Sequence, residues 1–367
     1  MGKVERLNLR HAESNVAVLL NANARNVSES LKRELENFVP PEDLYYSRSF
    51  DDARSIAREV LDRGYATVLT GGGDGTFVGY VNCLFDEAMQ PSAGAVRGAF
   101  KLAPRPVHSL RLPRFGVLKL GTGNAVADFA GASPKRIGVV EDILRARSGE
   151  ISQAREMHLL DCEGKLAPFA GLGVDAAVLN DYMRLKNGLA GGKLQFAAAG
   201  GLGYLLSIIG RTIPGYALQR GVPQVEVVNL GAPARQIGPD GKPLGRDIPR
   251  GEVIYRGPCR IAAAGSVPCY GFGFRMFPHA RKWPGRFQLR ISAMSLPKML
   301  AQFPRIWRGH TPRSGLLDFH CDKVQITFDR DMPLQVGGDA EGSRKQLVVG
   351  MAGEPLELID FTRPARA

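Results

Sequence analysis

Two glycine-rich turns, each lying between an apolar strand and a helix, constrain the fold of this chain more than any other feature. Residues 66–70 (ATVLT) predict a buried strand, and GGGDGT at residues 71–76 follows it directly, ahead of a helix that extends to about Glu87. Residues 115–120 predict another strand, which GTGN at residues 121–124 connects to a short helix. Strands that alternate with helices are typical of a parallel sheet covered by crossover helices. The first half therefore predicts an α/β domain.

The other segments of the first half fit the same pattern. Residues 16–20 (VAVLL) predict a buried strand, and residues 27–38, 51–63 and 137–147 predict helices. A chain of 367 residues is long enough for two domains, each with its own core. We place the boundary near residue 150, where the alternation of strands and helices ends.

The second half carries a different pattern, in which glycine and proline clusters interrupt short apolar runs. Examples are residues 225–228, 260–264, 287–291 and 324–328. Short strands at close spacing with many turns are typical of an antiparallel sandwich or barrel. The second domain is therefore predicted to be all-β.

The first glycine turn has the composition of an anion-binding loop. Glycines permit positive φ and let backbone N–H groups approach a phosphate, and the N-terminus of the following helix favours anions. The Thr76 hydroxyl is placed to cap that helix or to bond a phosphate, while Asp74 adds a carboxylate that would repel phosphates unless Mg²⁺ or a proton intervenes. This points to phosphoryl chemistry. The alternative is a plain strand-to-helix turn in which Asp74 is only a cap.

The second turn places short polar side chains at the same edge of the sheet, where ligands of open α/β sheets bind. GTGN alone is a weak motif, but its position one strand after GGGDGT favours a shared nucleotide site. Other phosphate motifs fail, because GLAGGK at residues 188–193 lacks the spacing and hydroxyl of a P-loop, and no H-R-D catalytic loop is present.

Four segments together carry a family resemblance. GGGDGT, GTGN, FAGLGVDAAV at residues 169–178 and the acidic triplet Asp339, Ala340 and Glu341 resemble the diacylglycerol kinase catalytic family, which includes bacterial lipid kinases and sphingosine kinases. The resemblance spans nearly the whole chain. NAD kinases share GGDGT but lack the GTGN segment, so an NAD-kinase-like enzyme with a soluble substrate is the weaker alternative.

The resemblance implies a fold of two domains and a phosphotransfer from ATP to a lipid hydroxyl, with Mg²⁺ as cofactor. It divides the chain into an α/β ATP-binding domain over residues 16–150, with a return of residues 345–362 to it as an option, and an antiparallel β-sandwich lipid-substrate domain over residues 151–344. Diacylglycerol or a related lipid is the expected acceptor.

The resemblance also assigns site residues. Glu341 is expected to be the general base that accepts the lipid hydroxyl proton, and Asp74 and Asp339 are expected to order the nucleotide and the metal. The residues that match the nucleotide motifs are Asn21, Gly71, Gly72, Gly73, Asp74, Gly75, Thr76, Gly121, Thr122, Gly123 and Asn124. For Glu341 the alternative is a solvated loop acid.

Several positions depart from the family pattern. Ala22 and Arg25 stand in the loop that is usually Asn-Pro-x-x-Gly, Ala125 replaces an aspartate, Pro284 replaces an aspartate that supports the metal, and Ala340 replaces a glycine. These departures keep a second hypothesis open, in which the protein binds nucleotide or lipid without catalysis.

The charge balance predicts an acidic partner. The chain has 48 Lys and Arg against 36 Asp and Glu, a net charge of +12, with a basic segment at residues 90–114. No pattern for reading bases appears, so we expect no nucleic acid and favour an anionic membrane surface. The apolar residues 196–210 are too few to span a bilayer and either touch its interface or form a buried helix. We expect a cytoplasmic protein at the inner face of the membrane, with a homodimer as one option for its assembly.

Overall fold

The computed structural model describes residues 15–89, 112–122, 124–151, 153–177, 221–271, 273–312 and 314–362. Gly123, most of the basic segment 90–114 and the apolar segment 196–210 lie outside these residues, so the predictions for them stay as they are. The chain divides into two compact units, one made of Met1–Met157 with Glu354–Ala367 and the other of His158–Gly353. In the residues described, no helix is long and apolar enough to cross a bilayer.

Strands and helices are numbered along the chain. The strands are β1 Val16–Asn21, β2 Leu44–Ser47, β3 Thr67–Gly72, β4 Arg114–Lys119, β5 Ala154–Met157, β6 Leu160–Cys162, β7 Lys165–Ala167, β8 Phe169–Gly173, β9 Gln224–Asn229, β10 Ala234–Ile237, β11 Pro243–Ile248, β12 Val253–Pro258, β13 Ile261–Gly265, β14 Phe287–Ser292, β15 Leu316–Cys321, β16 Lys323–Val336, β17 Asp339–Met351 and β18 Leu356–Ile359. The helices are α1 Glu29–Leu35, α2 Phe50–Asp62, α3 Asp74–Met89, α4 Ala125–Phe129, α5 Arg136–Arg147 and α6 Leu296–Trp307, with a 3₁₀ turn at Pro41–Asp43.

The first unit is built on a six-stranded sheet in the order β2-β1-β3-β4-β18-β5. All neighbours pair in parallel except β5, which runs antiparallel to β18. The central strands are apolar and almost fully buried, as expected for a sheet covered on both faces. The chain moves from β1 to β2 on one side and to β3 on the other, which makes the carboxyl ends of β1 and β3 the switch point where ligands of such sheets bind.

The second unit is antiparallel throughout, which confirms the β-rich class predicted for it. Among the residues described, its twelve strands form one continuous hydrogen-bonded sheet rather than two separate sheets. The long strand β16 organises this sheet, because it pairs with β8, β9 and β17. Its apolar core includes Leu172, Val227, Leu289, Val324 and Leu347. A turn at Gly337 and Gly338, both with positive φ, connects β16 to β17.

Candidate functional site

The loop that follows β1 is tied to the first turn of α3. The Asn21 side-chain amide donates to Thr76 Oγ1 at 3.0 Å, and Asn21 Oδ1 accepts from the backbone N–H of Asn23 at 2.9 Å. Helix α3 begins at Asp74, so Thr76 lies inside the helix. The prediction that Thr76 caps this helix is therefore wrong, since its hydroxyl faces Asn21 across the carboxyl ends of β1 and β3.

The glycines of the two turns are required by close packing. A Cβ on Gly121 would lie 2.1 Å from the Gly73 Cα, and a Cβ on Gly72 would lie 2.3 Å from Thr76 Oγ1. A Cβ on Gly71 would meet the Leu20 side chain at 2.2 Å. None of these glycines has a positive φ, so the conformational argument made from the sequence does not apply to them. The two turns instead touch backbone to backbone.

Asp74 joins the two turns. Its carboxylate accepts from the backbone N–H groups of Ala125 and Val126, both at 2.8 Å, and so caps the N-terminus of α4. Burial raises the pKa of Asp74 to about 6, against the opposing effect of these two hydrogen bonds. Each carboxylate oxygen thus holds one N–H group and retains a further lone pair.

Asn124 fixes the second turn from within. It adopts a left-handed conformation with φ 53°, which asparagine tolerates better than most residues. Its side chain accepts from the Gly121 N–H at 3.0 Å and donates to the Gly121 carbonyl at 2.9 Å. Thr122 lies between them and is half-buried. The Asn124 side chain therefore holds Gly121, which lies against Gly73.

A cavity of about 260 Å³ opens beside the first turn. Its lining residues are Asn21, Asn23, Ser47, Arg48, Ser49, Phe50, Ala53, Gly75, Thr76, Gly79 and Tyr80. Sequence reasoning missed the contribution of the β2–α2 loop, which supplies a cation, Arg48, and an aromatic ring, Phe50, that is 59% exposed. The capping box of Ser49 and Asp52 was the available signal, because it places a helix N-terminus at this edge of the sheet.

The predicted acidic pair lies on the β16–β17 hairpin of the second unit. Glu341 Oε1 accepts a short hydrogen bond from Lys165 Nζ, which also lies 3.9 Å from Asp339 Oδ2. Burial raises the pKa of Asp339, and Glu341 adds to that rise while Lys165 opposes it. Glu341 is therefore a half-buried partner in an ion pair, unlike a freely solvated loop acid.

A buried polar chain supports the turn of that hairpin. Tyr270 donates its hydroxyl proton to Asp175 Oδ2 at 2.9 Å, and the Gln335 side-chain amide donates to the Tyr270 oxygen at 3.0 Å. Gln335 Oε1 then accepts from the Gly338 N–H at 3.1 Å. Because burial raises the pKa of Asp175 to about 6, this carboxyl is another strongly perturbed group. Sequence reasoning assigned Asp175 no role beyond its place in the FAGLGVDAAV segment.

The described residues contain no group of three or more histidine, cysteine, aspartate or glutamate side chains arranged to hold a metal. A metal at the glycine turns would therefore depend on Asp74 together with oxygens supplied by a ligand. This is the usual arrangement for Mg²⁺, which binds through one or two carboxylates and substrate phosphates.

Comparison with known proteins confirms the resemblance over the first unit. Residues 15–155 match the family described as diacylglycerol kinase catalytic domain. This segment contains both glycine turns and all of the nucleotide-motif residues. No curated protein sequence matches the chain.

Solved structures share the two-unit fold. A diacylglycerol kinase from Bacillus anthracis strain Sterne aligns with a TM-score of 0.58 and 13% identity, over 95% of this chain and 97% of that one. A protein from the same strain, described as "a putative diacylglycerol kinase", aligns with a TM-score of 0.57 and 14% identity, over 94% and 97% of the two chains. At these identities the likeness establishes the fold: a parallel α/β domain followed by an antiparallel β domain.

Proposed function

We propose that the protein is an ATP-dependent lipid kinase that transfers the γ-phosphate of ATP to the hydroxyl of diacylglycerol or a related lipid. The observation that carries this proposal is the junction of the two glycine turns. Gly73 and Gly121 are in contact, and the Asp74 carboxylate at the start of α3 accepts a hydrogen bond from the N-terminus of α4. This junction lies at the switch point of a sheet that matches the diacylglycerol kinase catalytic domain. A rigid, anion-favouring edge of this kind suits the positioning that phosphoryl transfer requires.

The cavity next to the first turn supports ATP as the phosphate donor. The N-termini of α2 and α3 and the Arg48 guanidinium supply positive potential for the phosphates. Phe50 offers an exposed ring on which a purine base can stack. Asn21 and Thr76 present polar groups to the ligand from opposite sides, and both are held by their mutual hydrogen bond.

Mg²⁺ fits the donor chemistry at this edge only when a triphosphate shares it. Asp74 keeps one lone pair on each oxygen after accepting its two N–H groups, and it is the carboxylate we assign to the metal here. Bound with ATP, the ion would neutralise charge on the transferring phosphoryl group. The metal role of Asp339 remains a prediction from the resemblance.

Glu341 is proposed to accept the proton of the lipid hydroxyl. Lys165 bonds only its Oε1 atom, so Oε2 is left to accept from an acceptor hydroxyl. Cytoplasmic location and peripheral attachment to the inner face of a membrane belong to this proposal, because the acceptor is a lipid.

The proposal is tested by transfer of labelled γ-phosphate from Mg·ATP into a mixed lipid extract, followed by chromatography of the lipids. Wild type is compared with Glu341→Gln and with Asp331→Asn, a carboxylate-to-amide control at an exposed position of the same unit. We expect a labelled lipid from wild type and the control, and at least a hundredfold lower rate in Glu341→Gln. An undiminished rate in Glu341→Gln would remove it from the mechanism, and absence of any labelled lipid would refute the kinase.

One observation favours a second candidate, a nucleotide-binding protein without turnover. Asp74 is engaged by Ala125 and Val126, and Ala125 stands where the resembled family has an aspartate, so the site has one carboxylate fewer than its relatives. In that case ATP would raise the melting temperature of wild type while no lipid became labelled.

A further inference from the structure

One long segment of the second unit contains no acidic residue. Residues 253–317 span 65 positions without aspartate or glutamate, whereas the average over the chain, 36 acids in 367 residues, would place about six there. The same segment carries eleven lysines and arginines. A segment of this length and sign imbalance calls for either internal carboxylate partners or an external anion.

Part of this positive charge is used inside the unit. Arg290 is fully buried in an ion pair with Asp318, at 2.7 Å, and Arg256 pairs with Glu226 on the surface. Arg286 donates to the backbone carbonyl of Pro233 at 2.5 Å. These residues need no outside partner.

Of the eight other cations in the segment, four lie on or beside α6: Arg275, Lys298, Arg305 and Arg308, which we call the α6 surface. All four are exposed, and none forms an ion pair with any residue in the described part of the chain. Arg275 belongs with the helix because its N–H donates to the Trp307 carbonyl at 3.0 Å. The α6 surface is therefore uncompensated positive charge concentrated at one place.

Helix stability does not explain this arrangement. Lysine in the first turn of a helix opposes the macrodipole, yet Lys298 stands there and the turn has no acidic residue. The exposed positions of α6 are 297, 298, 301, 304, 305 and 308, which recur at helical spacing and form one face. Lys298, Arg305 and Arg308 therefore lie together on the side of α6 that faces away from the core.

Aromatic side chains anchor the opposite side of α6. The Trp307 ring stacks on Phe274 with centroids 5.1 Å apart, and Phe303 contacts both rings at 5.9 and 5.4 Å. Because Phe274 is buried, these contacts hold the helix against the unit and leave its cationic face exposed. An exposed row of cations without acidic partners is the electrostatic feature that attracts the headgroups of an anionic bilayer.

We propose that the α6 surface docks the protein on an anionic phospholipid bilayer. Each cation near a negatively charged leaflet adds attraction. The inference rests on the proposed function, since a bilayer is where a lipid acceptor is found. It adds the face by which the protein approaches that bilayer.

The docking surface is connected by contacts to the hairpin that carries Glu341. Phe274 packs edge-on against Tyr270, with ring centroids 6.1 Å apart. Tyr270 in turn accepts from Gln335, which holds the Gly338 turn of the hairpin. A bilayer bound at α6 would therefore lie at a fixed place relative to the proposed base.

The test is flotation of the full chain with vesicles of phosphatidylcholine alone or with 30 mol% (on the order of a physiological anionic content) phosphatidylglycerol. The charge-reversal triple Lys298→Glu/Arg305→Glu/Arg308→Glu is compared with Lys242→Glu/Arg250→Glu/Lys323→Glu, which changes the net charge equally at exposed positions elsewhere in the same unit. We expect wild type and the control triple to float with anionic vesicles and to be released by salt. The α6 triple should bind at least tenfold more weakly.

One further variant keeps the result specific. The milder triple Lys298→Gln/Arg305→Gln/Arg308→Gln should give an intermediate loss of binding. Equal weakening by both charge-reversal triples, unchanged binding of the α6 triple, or binding of wild type to duplex RNA but not to vesicles would overturn the proposal.

Failure of the docking surface can be told apart from failure of the kinase. With a short-chain diacylglycerol dissolved below its aggregation limit, the α6 triple should phosphorylate as fast as wild type, and it should lose rate only on vesicles. Loss of rate on both forms of acceptor would contradict docking as the role of α6. If wild type phosphorylates neither acceptor, the proposed function fails, while flotation still decides whether α6 binds the bilayer.

Discussion

Single atoms decide whether the two glycine turns can meet. A Cβ at Gly121 would overlap the backbone of Gly72 and Gly73, at 2.8 Å from the Gly72 carbonyl carbon and 2.4 Å from the Gly73 nitrogen. Backbone atoms cannot rotate away as a flexible side chain can. The contact therefore excludes every side chain at residue 121.

Gly121→Ala is accordingly expected to lower the free energy of unfolding by about 1–3 kcal/mol through overpacking. Gly79→Ala is the matched control, because no atom lies within 4 Å of a Cβ there and alanine favours the interior of α3. The control should be neutral or stabilising by about 0.5–1 kcal/mol. Urea titrations measure both variants. A Gly121→Ala variant as stable as wild type would contradict the packing argument.

The pKa of Asp74, raised to about 6 from 3.8, predicts a pH dependence with a definite sign. Because the folded protein binds this proton more tightly than the unfolded chain, the contribution of Asp74 to stability increases as pH falls from about 6 towards 3.8. The free energy of unfolding of wild type should therefore increase relative to that of Asp74→Asn as the pH falls over that range, by up to about 3 kcal/mol. The measurement is the difference in free energy of unfolding between the two proteins at several pH values. A difference that stays constant with pH would contradict burial of the ionised carboxyl.

At the scale of elements, the hairpin β16–β17 depends on hydrogen bonds from three separate segments. Asp175 follows β8, Tyr270 lies between β13 and β14, and Gln335 is in β16. An ionised carboxylate can only accept a hydrogen bond, so the Tyr270 hydroxyl must be the donor in its bond to the carboxylate. Removal of the middle hydroxyl takes a donor from the buried Asp175 carboxylate and an acceptor from the Gln335 amide.

Tyr270→Phe should therefore destabilise the second unit by about 1–3 kcal/mol. Its control is Tyr255→Phe, which removes a hydroxyl bonded only to the exposed Pro258 carbonyl and should cost about 0.5–1.5 kcal/mol or less. Thermal melting gives the stability, and phosphate transfer to lipid gives the rate, which should fall more for Tyr270→Phe because the Gly338 turn loosens. Equal effects of the two variants would show that the polar chain does not support the hairpin.

The apolar elements were predictable from the sequence and the half-exposed ones were not. Strands β1, β3 and β4 appear as continuous apolar runs because both faces of the sheet are covered, and the predicted bounds differ from the observed ones by one or two residues. Strand β2 was missed, since it is a short edge strand whose first three residues are only half-buried. Missing β2 also meant missing Arg48 and Phe50 beside the cavity.

At the scale of the whole molecule, contacts between distant parts of the chain set the site. Asp74 is 51 residues from Ala125, and no local pattern announces a carboxylate that caps a helix so far along the chain. The motifs named Asn21, Asp74, Thr76 and Asn124, which the structure places at the sheet edge of the first unit. They could not show that packing, instead of backbone conformation, is the reason for the glycines.

The second unit also contains a buried polar core whose effect on stability has the opposite sign to that of Asp74. Burial lowers the pKa of both His279 and His320. The charge of Lys282 lowers both further, as does Arg290 for His279 and Arg286 for His320, while Asp318 opposes the lowering. The unfolded chain therefore binds these protons more readily, and stability is lost as pH falls below about 6.5.

Replacement of one ring should weaken that dependence. His320→Gln keeps a side-chain donor for the His279 carbonyl, which the His320 ring contacts at 2.8 Å, but removes the titration. The melting temperature of wild type should fall more than that of the variant between pH 7.5 and 5.5, about one unit on either side of the ordinary histidine pKa. A variant with the same loss as wild type would assign the acid sensitivity to other groups.

The most direct test of the account is calorimetric titration of the protein with Mg·ATP. We predict binding with a Kd in the range of about 1 μM to 1 mM, and at least tenfold weaker binding in Thr76→Val, which keeps the shape of the side chain but removes the hydroxyl that faces Asn21. Ser148→Ala, an exposed position at the end of α5, should bind as wild type does. Absence of binding to wild type, or equal binding by Thr76→Val, would contradict the assignment of a nucleotide site to the joined glycine turns.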